Sequence, residues 1–253
     1  MAHKTLISGT AYSVTGGREL IGGTGYGCKA GKTIIGGTAF TVPFSKGIPL
    51  STITPGAILY LNESGSPVPF YIAKHDYESG LNGAGRTLVV RKDCYDKRSF
   101  SDRINAYANS LLDSWLCKTY LKLLDADTQA AIGNTKFYYT PGHGNNTVTT
   151  LQRAVFQLSF TELGKTEYYA NTEGSALPIA NTLQIAYYNG SAIKQWTRTP
   201  YVYDQTITCT VGSRGGAGWT NSSNAQTGSR PAFTLPSTTA VTANPDGTYT
   251  LAA

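Results

Sequence analysis

The sequence predicts an α+β protein, built from short strands over most of its length with one helical interval in the middle. Three observations carry that prediction. Residues 7–48 contain a three-fold repeat. Segments that alternate apolar and polar residues recur from residue 57 onward, and near residue 110 the apolar spacing becomes helical. The composition agrees: 28 Gly and 17 Tyr favour tight turns and strands, and a normal apolar share of 40% argues against disorder even though only 14% of residues are charged, against roughly 25% in an average soluble protein.

The repeat has a 14-residue period, with copies ISGTAYSVTGGREL (7–20), IGGTGYGCKAGKTI (21–34) and IGGTAFTVPFSKGI (35–48). Ile7, Ile21 and Ile35 correspond, as do Gly9, Gly23 and Gly37, Thr10, Thr24 and Thr38, and the aromatics Tyr12, Tyr26 and Phe40. Each unit is too short to bury its own apolar side, so three small β units in series are expected, completed by the same segment of other subunits. Gly27 to Thr33 imitates a phosphate-binding loop, but three residues separate its first Gly from Gly-Lys-Thr where the motif needs four. The repeat itself explains the likeness.

Ser51 to Gly56 reads as a linker and turn. Ala57–Leu61 and Val68–Ala73 then alternate as a strand pair around the turn Asn62–Pro67, and Arg86–Arg91 is a third strand. Ser110 is a helix N-cap, with Leu111, Leu112, Trp115 and Leu116 on one face. Trp115 is expected to pack that helix on the sheet. A second helix starts at Asp125 or Asp127 and stops at Gly133. Lys136–Tyr139 is a short strand, Arg153–Phe160 an alternating strand, Glu162–Ala176 polar and irregular, and Leu183–Tyr188 another strand. A closing pair flanks the turn at Pro245, Asp246 and Gly247.

The stretch from Gln195 to Pro236 has the composition of a binding surface. Trp196 and Arg198 open it, Arg230, Pro231 and Phe233 close it, and Tyr, Thr, Ser, Asn, Gly and one further Trp fill it. Tyr and Trp offer large contact area at low entropy cost, and Ser, Asn and Gly offer adaptable hydrogen bonding. Its bland alternative is a Gly/Ser-rich surface loop rooted on a buried Trp. Arg198 and Arg230 are expected to grip loop carbonyls or a carboxylate such as Glu173.

No catalytic set emerges. His3, His75 and His143 lie in unrelated segments, and Cys28, Cys94, Cys117 and Cys209 show no zinc-ligand spacing. Asp204 is the one acid between Trp196 and Phe233, too few carboxylates for calcium. The net charge of +6 is scattered, which argues against nucleic acid. No apolar run has the length of a signal peptide or a membrane span. The expectation is therefore a protein that is not an enzyme, with no cofactor, no metal, no nucleic acid and no membrane insertion.

Several phrases together carry a resemblance: Ser110 to Leu116 (SLLDSWL), Ala154 to Ser159 (AVFQLS) followed by Glu162, Leu163 and Gly164, the pair Glu173 and Gly174, Trp196 to Pro200 (WTRTP), and Ser229 to Phe233 (SRPAF). In this order they resemble a domain family of unassigned function, common at the C-termini of tail and surface proteins of phages infecting Gram-positive bacteria. The resemblance spans about residues 55–240. The last part also looks like the end of the C-type-lectin-like fold in the variable proteins of diversity-generating retroelements. The resemblance implies a β-repeat segment over 1–50, for attachment or trimerisation, and a C-type-lectin-like binding domain over 51–253. It assigns Trp115, Trp196, Arg198, Arg230, Pro231 and Phe233 to the scaffold. The ligand-binding face would comprise Tyr201, Tyr203, Asp204, Thr206, Arg214, Trp219, Asn221, Ser223 and Asn224. The function implied is a phage tail receptor-binding or adhesion protein, diversified or not. It would sit in the virion, be made in the host cytoplasm, form a homotrimer, contact other virion tail proteins, and bind a bacterial surface protein or glycan. A structural tail or baseplate component is the alternative, and a hydrolase or oxidase on the same fold a third.

Overall fold

Two residues with positive φ, Ser64 at 53° and Gly65 at 78°, turn Ile58–Glu63 back onto Ser66–Lys74. A two-residue turn with both φ positive matches the twist of the strands it joins. In the computed structural model this hairpin is the middle of an eight-stranded sheet. Its order is Val155–Phe156, Ala232–Pro236, Arg86–Arg91, Ser66–Lys74, Ile58–Glu63, Tyr249–Leu251, Ala240–Ala243 and Ile48–Pro49. All neighbours run antiparallel except Tyr249–Leu251, which lies parallel to Ile58–Glu63. Leu59, Leu61 and Glu63 point inward by alternation. Arg86–Arg91 is covered on both faces, so Thr87, Leu88, Val89 and Val90 are all buried.

A second, five-stranded sheet runs Asp96–Lys97, Gly228–Ser229, Gln195–Pro200, Ile207–Val211, Ala217–Asn221. One apolar core joins both sheets and the helical interval, with Phe70 against Phe233 at 5.5 Å and Phe137 against Phe156 at 4.5 Å. The protein is thus mixed α+β, dominated by sheet.

The structure describes the backbone of residues 3–7, 10–14, 18–21, 24–27, 30–35, 38–43 and 47–252, with side chains over 47–252. Strands in the first part pair as three hairpins: His3–Ile7 with Thr10–Val14, Arg18–Ile21 with Thr24–Gly27, and Ala30–Ile35 with Thr38–Pro43. Ile7 faces Thr10, Ile21 faces Thr24 and Ile35 faces Thr38, the same repeat positions each time. The packing expected of Tyr12, Tyr26 and Phe40, and the side chains of the loop-like stretch at Gly27 to Thr33, lie outside the described residues.

Helix starts are where local chemistry puts them. The Ser110 hydroxyl accepts the Asp113 N–H at 2.9 Å and begins Leu111–Lys118; the Asp125 carboxylate accepts the Thr128 N–H at 2.9 Å and begins Ala126–Ala131. Leu112 and Leu116 are buried, but Leu111 is 59% exposed. Successive residues differ by 100°, so a stripe holding both Leu111 and Leu112 is wider than this helix buries.

Four stretches depart from expectation. Ser51 to Gly56 is no free linker: it begins inside a 3-10 turn, Leu50–Thr52, with Leu50 and Ile53 buried. The predicted strand Arg153–Phe160 is broken: Arg153 ends the strand Thr149–Arg153, Val155–Phe156 is a separate two-residue strand, and residues 155–163 are all buried, covered on every side rather than alternately. Leu183–Tyr188 divides into a short helix, Ala180–Leu183, and the strand Ala186–Tyr188. Most of Gln195 to Pro236 is ordered sheet, not an adaptable ribbon, because cross-strand pairing satisfies its backbone.

Candidate functional site

The strand Gln195–Pro200 is buried along its whole length and carries the first two anchors. Trp196 donates its indole N–H to the Arg98 carbonyl at 2.8 Å and packs on Phe100 at 5.5 Å. Arg198 has no exposed surface. Its Nη1 donates to Glu162 Oε2 at 2.8 Å and to the Gln157 carbonyl at 3.0 Å, and its Nε donates to the Tyr138 carbonyl at 2.9 Å. Its guanidinium also stands 4.5 Å from the Phe137 ring centre.

Glu173, the carboxylate expected beside an arginine, stands 3.7 Å from Arg198 Nε; Glu162 is the closer partner. Glu173 instead accepts the Thr140 N–H at 2.7 Å and the Thr199 hydroxyl at 2.8 Å. Glu162 takes the stronger share of the positive charge, so burial dominates at Glu173 and pushes its carboxyl up to about 6. The stretch read as polar and irregular therefore holds two fully buried carboxylates, tolerated because each is hydrogen-bonded and both face one guanidinium.

Arg230 solves burial differently. It donates to three carbonyls, Arg91 at 2.9 Å, Leu183 at 2.7 Å and Lys92 at 2.6 Å, and faces no carboxylate in an ion pair among the described residues. Pro231 is buried and its carbonyl accepts the Arg91 N–H; Phe233 is buried against Phe70. Trp115 is half-buried, with Tyr95 at 5.2 Å and the Arg98 guanidinium 3.2 Å over its ring.

The residues between the anchors reach the surface at the edge of the second sheet. Ala217–Asn221 is its last strand, and alternation turns Ala217, Trp219 and Asn221 outward. Trp219 is 51% exposed and Tyr203 68% exposed. Tyr201, half-buried, joins them, with ring centres 5.8 Å from Trp219 and 5.9 Å from Tyr203. Asp204 and Ser223 are exposed, and Thr206 and Asn224 half-buried. Arg214 is exposed in the turn at the other end of the hairpin, about five extended residues or roughly 17 Å from Asn221, and stands apart from the aromatic group.

The small polar residues here are less adaptable than their types suggest. Asp204 accepts both the N–H and the hydroxyl of Thr206, at 2.8 and 2.7 Å, which holds its carboxyl below the usual range. Asn221 accepts the N–H and hydroxyl of Ser223 at 3.0 and 2.7 Å, and Asn224 accepts the Gln226 N–H at 2.7 Å. These side chains shape their own turns, which leaves the exposed aromatic rings as the larger unengaged side chains of this surface.

Three further residues build the face without standing out in the sequence. Tyr169 stacks on Tyr201 at 5.0 Å, and Tyr168, 79% exposed, continues the aromatic row to Tyr203 at 6.1 Å. Asn105 is buried beneath. Its amide donates to the carbonyls of Tyr201, Asp204 and Ile207 at 3.1, 2.9 and 2.9 Å, while its oxygen accepts the His143 N–H at 2.7 Å. Gly142 at φ 76° makes room: a Cβ there would lie 2.6 Å from the Asn105 carbonyl oxygen. The adjacent pair Tyr168 and Tyr169 was the one available signal, hidden in a segment without periodicity.

Cys94 is pushed up to about 12 by burial, and burial also raises Cys117 and Cys209, so the thiols are held protonated at neutral pH. No group of three or more His, Cys, Asp or Glu side chains fit for a metal occurs among the described residues, and no helix among them is long and apolar enough to cross a membrane. No curated protein and no solved structure matches the chain. Residues 84–237, which include both arginine anchors and every residue of the aromatic face, match a domain of unknown function, and since that match covers more than half of the chain the protein belongs to the DUF6273 family.

Proposed function

We propose that this chain is a receptor-binding or adhesion protein of a phage tail, presenting a recognition face on a C-type-lectin-like scaffold. One observation carries the reading: Tyr168, Tyr201, Tyr203 and Trp219 form a continuous aromatic row at the surface, Trp219 on the edge strand of the second sheet and the three tyrosines in the turns and loops beside it. Rows of exposed aromatics are costly to leave in water and mark interaction sites. Aromatic anchors also dominate the energetics of protein contacts. The anchors behind the row support the same reading, because buried Arg198 and Arg230 tie its strands to the core.

In this proposal the protein resides in the virion as a homotrimer attached through its first 50 residues or so, and targeted diversification acts on the residues of the outer face. Trp219→Ala combined with Tyr203→Ala is expected to reduce adsorption to a susceptible bacterium at least tenfold while leaving the thermal midpoint within a few degrees. Virion assembly lost in place of adsorption would instead assign the face to a contact between tail proteins.

A further inference from the structure

We propose that the hollow beside Tyr168 is a saccharide subsite. This deepens the adhesion reading and rests on it for biological context, though not for its chemistry. The hollow measures about 330 Å³ and is shallow; Lys165, Thr166, Glu167, Tyr168, Asn171 and Thr172 line it. That volume falls at the small end of ligand sites, about 300–1,000 Å³, and suits one or two sugar rings.

Its walls are of two kinds. Tyr168 supplies an exposed ring, and the other five side chains named supply ammonium, hydroxyl, carboxylate and amide groups. A pyranose needs that pairing. One of its faces is a patch of C–H bonds carrying slight positive charge, which sits well on the negative face of an aromatic ring. Its rim is hydroxyls, each able to donate and accept. An apolar ligand would leave the polar walls unpaired in a dry contact. An anion would gain from Lys165 but meet Glu167, and neither residue takes part in an ion pair among the described residues. A peptide added as a strand would need a free sheet edge, and this segment consists of turns.

The hollow is also braced by contacts. Tyr168 leans on the rings of Tyr169 at 5.3 Å and Tyr203 at 6.1 Å. The Lys165 N–H donates to the Phe160 carbonyl at 3.0 Å, and the Ala170 N–H closes a turn on Glu167 at 3.0 Å. Asn171 donates to the Asn146 carbonyl at 2.6 Å, Asn146 donates to Val202 at 3.1 Å, and the Val202 N–H donates back to Tyr169 at 3.0 Å. Three loops are thereby stitched around the opening, so little ordering remains to oppose binding.

The test uses the full chain on a printed array of bacterial capsule, teichoic-acid and cell-wall saccharides, with calorimetry on any hit. At least one saccharide should bind. Tyr168→Ala should weaken it at least tenfold, Asn171→Ala several-fold, and Tyr168→Phe, which keeps the ring, should retain it. Tyr168 is exposed, so an unchanged melting curve for the variants is expected. No hit on the array, or a hit indifferent to Tyr168→Ala, overturns the subsite. Capture of a panel of bacterial strains separates the two proposals. Capture that depends on Trp219, survives periodate oxidation of the cells and is lost on protease treatment leaves adhesion standing and overturns the subsite. Array binding that depends on Tyr168, without capture of any strain, upholds the subsite and overturns adhesion.

Discussion

Glu173 shows how a single residue couples burial to pH. It has no exposed surface, and its carboxyl titrates at about 6, above an ordinary value of 4.5. At pH 7 the folded protein holds a charge that the unfolded chain would solvate. As pH falls from 7 through 6 toward 4.5, the folded state takes up the proton first, so this group's contribution to stability rises. The gain is about 2 kcal/mol and is complete below the unfolded value. Urea unfolding of the native protein and Glu173→Gln across that window should show a difference that closes by this amount as pH falls. A constant difference from pH 7 to 4.5 would mean that Arg198 neutralises Glu173 as fully as Glu162. The geometry argues against that, since Arg198 lies 2.8 Å from Glu162 and 3.7 Å from Glu173.

At the scale of elements, the aromatic face depends on loops tied to strands by Asn105. One buried amide closes the 201–207 turn through three carbonyls and holds the 140–147 loop through the His143 N–H. Removing it leaves several backbone groups without partners, at about 1–3 kcal/mol each where water cannot replace the bond. Asn105→Ala should therefore speed amide hydrogen exchange in both loops by at least tenfold while the strands Arg86–Arg91 and Ala232–Pro236 stay protected. Equal acceleration everywhere would show a global loss of stability. Helix starts at Ser110 and Asp125 were legible because capping needs only a side chain and an N–H three residues on. Asn105 was not legible, because its partners lie about 40 to 100 residues away.

For the whole molecule, Arg230 is the tie between the two sheets. Its guanidinium reaches the carbonyls of Arg91 and Lys92 at the end of one strand of the central sheet and that of Leu183 ahead of the strand Gln195–Pro200 of the second, and its own N–H meets Gln157 at 3.3 Å. Arg230→Ala should lower unfolding free energy by about 3–5 kcal/mol, since three buried carbonyls lose their donors together. The measurement is the denaturant midpoint. A normal midpoint with only a local loss of affinity would make Arg230 a ligand contact and not a tie.

Residue order alone settled the α+β class, the helix caps, the central hairpin and the anchoring of Trp196 and Phe233 in the core. Those features follow from short-range periodicity or from residue types too large to leave unanchored. Tertiary packing decided the rest: which carboxylate meets Arg198, that residues 155–163 are covered on all sides, and that Tyr168 and Tyr169 complete the aromatic row. Such pairings depend on segments distant along the chain meeting in space, and local pattern holds no record of distance between them.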